Sequence, residues 1–176
     1  MKNIAVVTGG YSGEAKISFQ SAEQVLHHID RKKFTPYKII IREGKWFYAD
    51  ERHREFSIDK NDFSITINKK KITFDCVFLI IHGTPGEDGK LQGYFDLLKI
   101  PYSSSGLLTS AITFNKEICK RALAPVGINM AKSSVVFKGE KINENEILEQ
   151  VRLPCFVKPN NGGSSKGTSK VEKKSE

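Results

Sequence analysis

The chain has 176 residues, 39% hydrophobic and 27% charged, which supplies apolar material for a core and excludes a collagen-like, mucin-like or wholly disordered protein. Residues 77–81 (VFLII) form its longest apolar run, far too short to cross a bilayer, and Met1-Lys2-Asn3 leads into a run closed by Gly9-Gly10 rather than by a signal-peptide cleavage site. No membrane association and a cytoplasmic location are therefore expected. The balance of 28 Lys and Arg against 20 Asp and Glu gives a net charge of +8, which favours anionic partners without naming one. The basic residues are scattered among 31–33, 69–71 and 170–174, with no contiguous stripe interleaved with aromatics, so no nucleic-acid partner is expected; a nucleotide phosphate accounts for the excess equally well. Cys76, Cys119 and Cys155 are an odd number without CxxC spacing, a pattern that argues against disulfides and a cysteine metal site.

Residues 3–8 (NIAVVT), stopped by Gly9-Gly10, read as a buried strand entering a tight turn. Phe19, Ala22, Leu26 and Ile29 follow at spacings of three, four and three, one apolar stripe on a helix that ends near Asp30. Residues 36–41 (PYKIII) supply the next strand and residues 46–48 a short one. Ile65 and Ile67, then Ile72 and Phe74, alternate with polar residues about Asn68-Lys69-Lys70, as in a solvent-facing hairpin. Residues 76–81 (CVFLII) lack polar alternation, which predicts a strand buried on both faces in the centre of a parallel sheet. Leu91, Phe95 and Leu98 mark another helix, and Ile100-Pro101-Tyr102 a short strand. Together these make a doubly wound α/β unit of about one hundred residues, with Ser103-Ser104-Ser105-Gly106 as its boundary. Beyond it come helical pieces at 107–113 and 115–124, a strand at 131–137, and a helix opened by Asn143 and Glu146 in the manner of a capping box. A strand at 155–158, a glycine and serine loop at 160–167 and a strand at 168–172 close the chain.

Four places carry chemistry. Gly162-Gly163-Ser164-Ser165-Lys166-Gly167 lies between two strands, where backbone N–H groups can surround an anion; a plain glycine hairpin is the alternative. It is not a Walker A loop, because Thr168 stands where that pattern needs Lys. Lys158, just past the expected buried pair Cys155-Phe156, calls for a counter-charge. Glu14 closes the Gly9-Gly10-Tyr11-Ser12-Gly13 turn at the start of a helix, either as a first-turn charge or as a carboxylate that holds an ammonium group. His82 ends the expected central strand, at the edge where open α/β sheets bind ligands, without a metal-ligand spacing to Glu87-Asp88; a satisfied strand-end histidine is the alternative. Lys116 starts a helix, where the dipole repels a cation and a bound anion would resolve the conflict; a solvated lysine is the alternative.

Read in order, the run 7–14 (VTGGYSGE) with Ser18, His82-Gly83 with 86–93 (GEDGKLQG), Pro101-Tyr102, Ser110-Ala111, Asn115-Lys116, and Val157-Lys158-Pro159 with Gly163-Ser164-Ser165 resemble the D-alanine:D-alanine ligases of the ATP-grasp superfamily, across nearly the whole chain. The resemblance implies an α/β fold in which a doubly wound parallel sheet of the pre-ATP-grasp kind, residues 1–103, is followed by the beginning of the ATP-grasp central domain, residues 104–176. The C-terminal domain, with the magnesium ligands, is expected outside this chain, which alone is not expected to be a competent ligase.

The family's reaction uses ATP and Mg2+ to join two D-alanines through an acylphosphate, for peptidoglycan synthesis, and the family suggests a homodimer. Carried over position by position, the resemblance implies that Glu14 holds the ammonium of the first D-alanine, His82 lies near its carboxylate and Ser164 orients Glu14. It likewise gives ATP phosphates to Lys116, Lys158, Gly162, Gly163, Ser165 and Gly167, and no metal ligand to any residue present. Two positions depart from the family: Asn115 replaces the usual Asp, and Lys166 a small apolar residue. The alternatives are a D-alanine:D-lactate ligase and a non-catalytic nucleotide- or anion-binding module.

Overall fold

The first strand, β1 (Lys2–Gly9), is buried from Ile4 to Gly9, and the reason lies on both sides of it. In the computed structural model, which describes residues 1–175, β1 is paired in parallel with β2 (Phe34–Arg42) and, on its other edge, with the strand Cys76–Leu79. Ala5 and Val7 enter one core with Ile39, Ile41, Val77, Leu91 and Phe95. Ile4 and Val6 enter another, under Ala22, Val25, Leu26 and Ile29 of the α1 (Ala15–His28) region. A strand covered on both faces needs no polar alternation, which is what the sequence displays. Phe19, expected in the α1 stripe, is half-buried, with the Arg42 guanidinium 5.9 Å from its ring centroid.

Two antiparallel strands, β3 (Lys45–Ala49) and β4 (Glu55–Ser57), extend the sheet beyond β2. A hairpin follows, β5 (Ile65–Ile67) and β6 (Lys70–Ile72), turning at Asn68 and Lys69 with φ of +48° and +64°, the double left-handed geometry of a tight hairpin. Its inner face is not exposed: Ile65 and Phe74 are buried, and Ile67 and Ile72 pack on the core. The strand Cys76–Leu79 is β7, giving the order β4-β3-β2-β1-β7. With α1 on one face and α2 (Lys90–Leu98) on the other, the parallel centre is doubly wound as expected.

Two expectations for this region need correction. β7 is the last full strand of the sheet rather than its centre, and Phe78 is 39% exposed. Its apolar neighbours divide between the two cores, Cys76 and Ile80 on the α1 side and Val77 and Ile81 on the other, so the run lacks alternation although the cover stops short of Phe78. The strand expected at 100–102 is one bridge, Val77 to Tyr102.

Two compact units divide the chain, Met1–Ala111 and Ile112–Glu176, with the division inside α3 (Leu107–Phe114). The second unit holds α4 (Lys116–Leu123), a 3-10 turn (Ala124–Val126), α5 (Glu144–Val151) and the antiparallel pair β8 (Cys155–Val157) and β9 (Ser169–Val171). Asn115 caps α4, its side chain accepting from the Ile118 N–H at 2.9 Å. At α5, Asn143 accepts from the Glu146 N–H at 3.5 Å and donates back to its carboxylate at 3.4 Å.

The expected strand at 131–137 is absent. Side chains satisfy its acceptors instead: Lys120 donates to the Ala131 carbonyl and Ser133 hydroxyl, and Gln150 Nε2 to the Ser133 carbonyl at 3.0 Å. The Cys155-Phe156 pair is not buried either, since Phe156 is 63% exposed and a two-stranded ribbon cannot cover its own faces.

Phe63 is the pivot of the first core. Fully buried at φ +53°, it is ringed by Trp46, Phe74, Tyr94 and Phe95 at centroid distances of 4.9–6.3 Å. Phe63→Ala should lower the stability of this unit by about 3–5 kcal/mol, measured by urea denaturation, and a loss under about 1 kcal/mol would contradict this packing.

Candidate functional site

The turn after β1 is held by close backbone approach. A Cβ on Gly9, whose φ is +100°, would stand 2.4 Å from the Ile41 carbonyl oxygen, so no side chain fits, and the Gly10 N–H donates to that same oxygen at 2.8 Å. The turn then crosses to the loop that follows β7. There Ser12 Oγ donates to the His82 carbonyl at 3.0 Å and accepts from the Glu14 N–H at 3.2 Å. Glu14 occupies the N-cap position of α1, without a side-chain capping bond to it, and is 6% exposed. Its carboxylate lies against Gly83, where an added Cβ would meet Ser12 Oγ at 2.6 Å and Glu14 Oε2 at 3.0 Å.

His82 is built into the same cluster. Its backbone N–H donates to Ser18 Oγ at 3.0 Å, its ring Nε2 is 3.3 Å from Ser21 Oγ, and its Nδ1 is 3.9 Å from a Glu87 carboxylate oxygen. The other Glu87 oxygen accepts from the Gly83 N–H at 2.7 Å. The first unit thus brings Glu14 and His82 together, at the carboxyl ends of β1 and β7, where open α/β sheets bind ligands. The supporting Ser12, Ser21 and Glu87 were not singled out from sequence as such. A signal for one of them existed: Glu14, Ser18 and Ser21 are spaced four and three, one face of a helix.

The other predicted residues belong to the second unit. Lys116 Nζ donates to the Gly162 carbonyl at 2.8 Å and the Asn160 carbonyl at 3.3 Å. Asn160 locks the root of the loop to the start of α4, accepting from the Glu117 N–H and donating to Asn115 Oδ1, both at 2.9 Å. In the loop, Gly162 has φ +117°, Ser164 and Ser165 have +50° and +54°, and Gly167 has +69°. Ser164 and Ser165, both left-handed, make a tight turn closed by the Lys166 N–H on the Gly163 carbonyl at 3.2 Å. Lys158 and Lys166 are exposed, so Lys158, contrary to expectation, needs no counter-charge on account of burial; it acts on Lys116 through its charge. Loss of hydration, and then the Lys158 ammonium, push the Lys116 ammonium below the ordinary lysine range. Among the described residues, no group of three or more His, Cys, Asp or Glu is placed to hold a metal ion.

The family described as "D-ala D-ala ligase N-terminus" matches residues 3–105, and that described as "D-ala D-ala ligase C-terminus" matches residues 122–176. The chain belongs to the D-alanine–D-alanine ligase family. A D-alanine–D-alanine ligase of Flavobacterium johnsoniae is 52% identical over 176 residues, covering all of this chain and 54% of that protein. Among solved structures, the D-alanine–D-alanine ligase of Coxiella burnetii aligns with a TM-score of 0.85 at 28% identity, over 99% of this chain and 58% of its own. That of Bacillus anthracis complexed with ATP aligns with a TM-score of 0.75 at 29% identity, over 99% and 52%. The chain spans about half the length of the ligases it matches. These neighbours bear out the α/β, ATP-grasp-type fold read from the sequence.

The lysine pair makes a signed prediction. Lys158→Ala removes the like charge and should raise the Lys116 pKa toward the ordinary lysine value of 10.5, followed by side-chain carbon NMR of labelled lysines; a downward move would contradict the arrangement. Because the folded chain binds this proton less readily than the unfolded one, the Lys116 contribution to stability should rise with pH between its folded value and 10.5.

Proposed function

We propose that this chain supplies the first amino-acid site and the phosphate loop of an ATP-dependent ligase that makes D-alanyl-D-alanine for peptidoglycan precursors. The observation that carries the reading is the buried Glu14 carboxylate, 6% exposed, set against Gly83 beside His82. A carboxylate so placed is stabilised by a bound cation, and the ammonium of an amino acid is a cation of the right size, with the imidazole of His82 available to its carboxylate.

The second unit suits a polyphosphate. Loss of hydration and the nearby Lys158 charge disfavour the charged form of Lys116, an anion bound there would restore it, and backbone N–H groups of the 162–167 loop would add donors. ATP, when bound, supplies the phosphoryl group that activates a D-alanine carboxylate for attack by the amine of a second D-alanine, with release of ADP and phosphate. In this reading Lys116 and Lys158 neutralise phosphate charge, while Ser165 and the N–H groups of Gly162, Gly163 and Gly167 donate to phosphate oxygens as charge shifts in the transfer. Ser164 takes a positioning role toward the amino acid. Magnesium belongs to the reading as the companion of ATP; among the described residues no group of three or more His, Cys, Asp or Glu is placed to hold it. The domain assignment of 1–103 as amino-acid-binding and 104–176 as the opening of the central domain, a homodimer and a cytoplasmic location complete the reading by family analogy. Among the described residues no helix is long and apolar enough to cross a membrane.

The test is D-alanine-dependent ADP release by a protein carrying this chain at the full length of the family. Glu14→Gln should lower kcat/KM for D-alanine about a hundredfold, the scale of breaking a buried, hydrogen-bonded charge pair. An unchanged value would remove Glu14 from the amino-acid site.

A further inference from the structure

Tyr11 ties the turn that carries Glu14 to two other parts of the first unit at once. Its backbone N–H donates to the Thr84 carbonyl at 3.0 Å, in the loop after β7, and its hydroxyl oxygen accepts from Trp46 Nε1 of β3 at 3.1 Å. The ring itself is 42% exposed, so burial does not explain its placement. Trp46, by contrast, is rooted: Phe63 and Tyr94 meet its ring edge-on at 6.3 and 5.4 Å, and the Lys60 ammonium lies 5.0 Å from its centroid. Tyr94 donates its hydroxyl to the Lys60 carbonyl at 2.8 Å, which fixes that lysine's backbone as well. An indole anchored in the aromatic core therefore reaches out to the turn beside Glu14. The family resemblance assigns neither Tyr11 nor Trp46 a role.

We propose that Tyr11 is a positioning residue for amino-acid binding, its hydroxyl clamped by Trp46 and its N–H by Thr84, so that the turn presents the Glu14 carboxylate against Gly83 before a ligand arrives. This rests on the reading of Glu14 as the partner of the D-alanine ammonium. The turn contains Gly9 and Gly10 at φ +100° and +107°, followed by Gly13, a composition with large conformational freedom to lose. A clamp removes that freedom in advance, so its loss weakens binding without unfolding the unit.

Calorimetric titration of D-alanine into the 176-residue chain, with L-alanine as control, tests the proposal in Tyr11→Phe, Trp46→Phe and the double variant, alongside amide hydrogen exchange. Each single variant should weaken D-alanine binding about three- to tenfold, the worth of one hydrogen bond, and the double variant no further than the weaker single one. In Tyr11→Phe the amides of residues 12–14 should exchange faster by a similar factor, while β1 exchange and the melting temperature stay unchanged. Unaltered D-alanine affinity in Tyr11→Phe overturns the proposal, as does a double variant whose loss is the simple sum of the two. If the wild-type chain takes up no D-alanine and Glu14→Gln makes no difference, the amino-acid reading of the site fails. The clamp is then decided by exchange at residues 12–14 in Tyr11→Phe, faster exchange supporting it and unchanged exchange overturning it.

Discussion

A carboxylate buried beside a tight glycine corner is unfavourable unless its surroundings are shaped to receive negative charge, and the first unit is arranged around that requirement. Glu14 stands at the N-terminal end of α1, the positive end of the helix dipole. Gly83 leaves room for the carboxylate by having no side chain, and Ser12 joins the two loops through one hydroxyl. Remove the parallel pairing of β1 with β2 and β7, and these loops have no reason to meet. The hydrophobic faces of Ile4, Ala5, Val6 and Val7 therefore serve the site indirectly, by placing two strand ends side by side.

The second unit solves a related problem with opposite sign. Lys116 is brought next to Lys158 at a helix start, and the carbonyls of Asn160 and Gly162 take up its donors. Loss of hydration, and then the Lys158 charge, still hold the Lys116 ammonium below its ordinary range, and a bound anion would offset both, as the proposed phosphate role requires. The left-handed turn at Ser164 and Ser165 lies in the same segment and is closed by its own hydrogen bond, the Lys166 N–H on the Gly163 carbonyl at 3.2 Å. Asn115 and Asn160 act as the joint: one caps α4, the other binds the loop to it, so the helix and the loop are positioned together.

Local pattern revealed much of this architecture. The three-and-four spacing of α1 and α2, the glycine stop after β1 and the Asn68-Lys69 turn depend on residues near one another in the chain, and each is found where its pattern indicates. Where sequence and structure differ, the cause is another. Residues 76–81, 131–137 and Cys155-Phe156 carry only apolar character as a signal, whereas their burial and pairing depend on what the fold sets beside them: incomplete cover over Phe78, side-chain donors on 131–133, and exposure of the ribbon face at Phe156. The candidate site divides in the same way. Glu14, His82 and Lys116 stood out because each is a charged or titratable group at an element end. Ser12, Ser21 and Tyr11 act through partners 35 to 73 positions away, and no local pattern encodes a contact over that separation.

We propose that the Glu14 carboxylate, fixed between two strand-end loops, receives an amino-acid ammonium, and a crystal structure of the chain grown with saturating D-alanine would reveal it. Density for the amino acid is expected at the carboxyl ends of β1 and β7, with its nitrogen about 2.7–2.9 Å from a Glu14 carboxylate oxygen. D-alanine bound with its nitrogen on other groups, or a Glu14 pocket left empty at saturation, would contradict it.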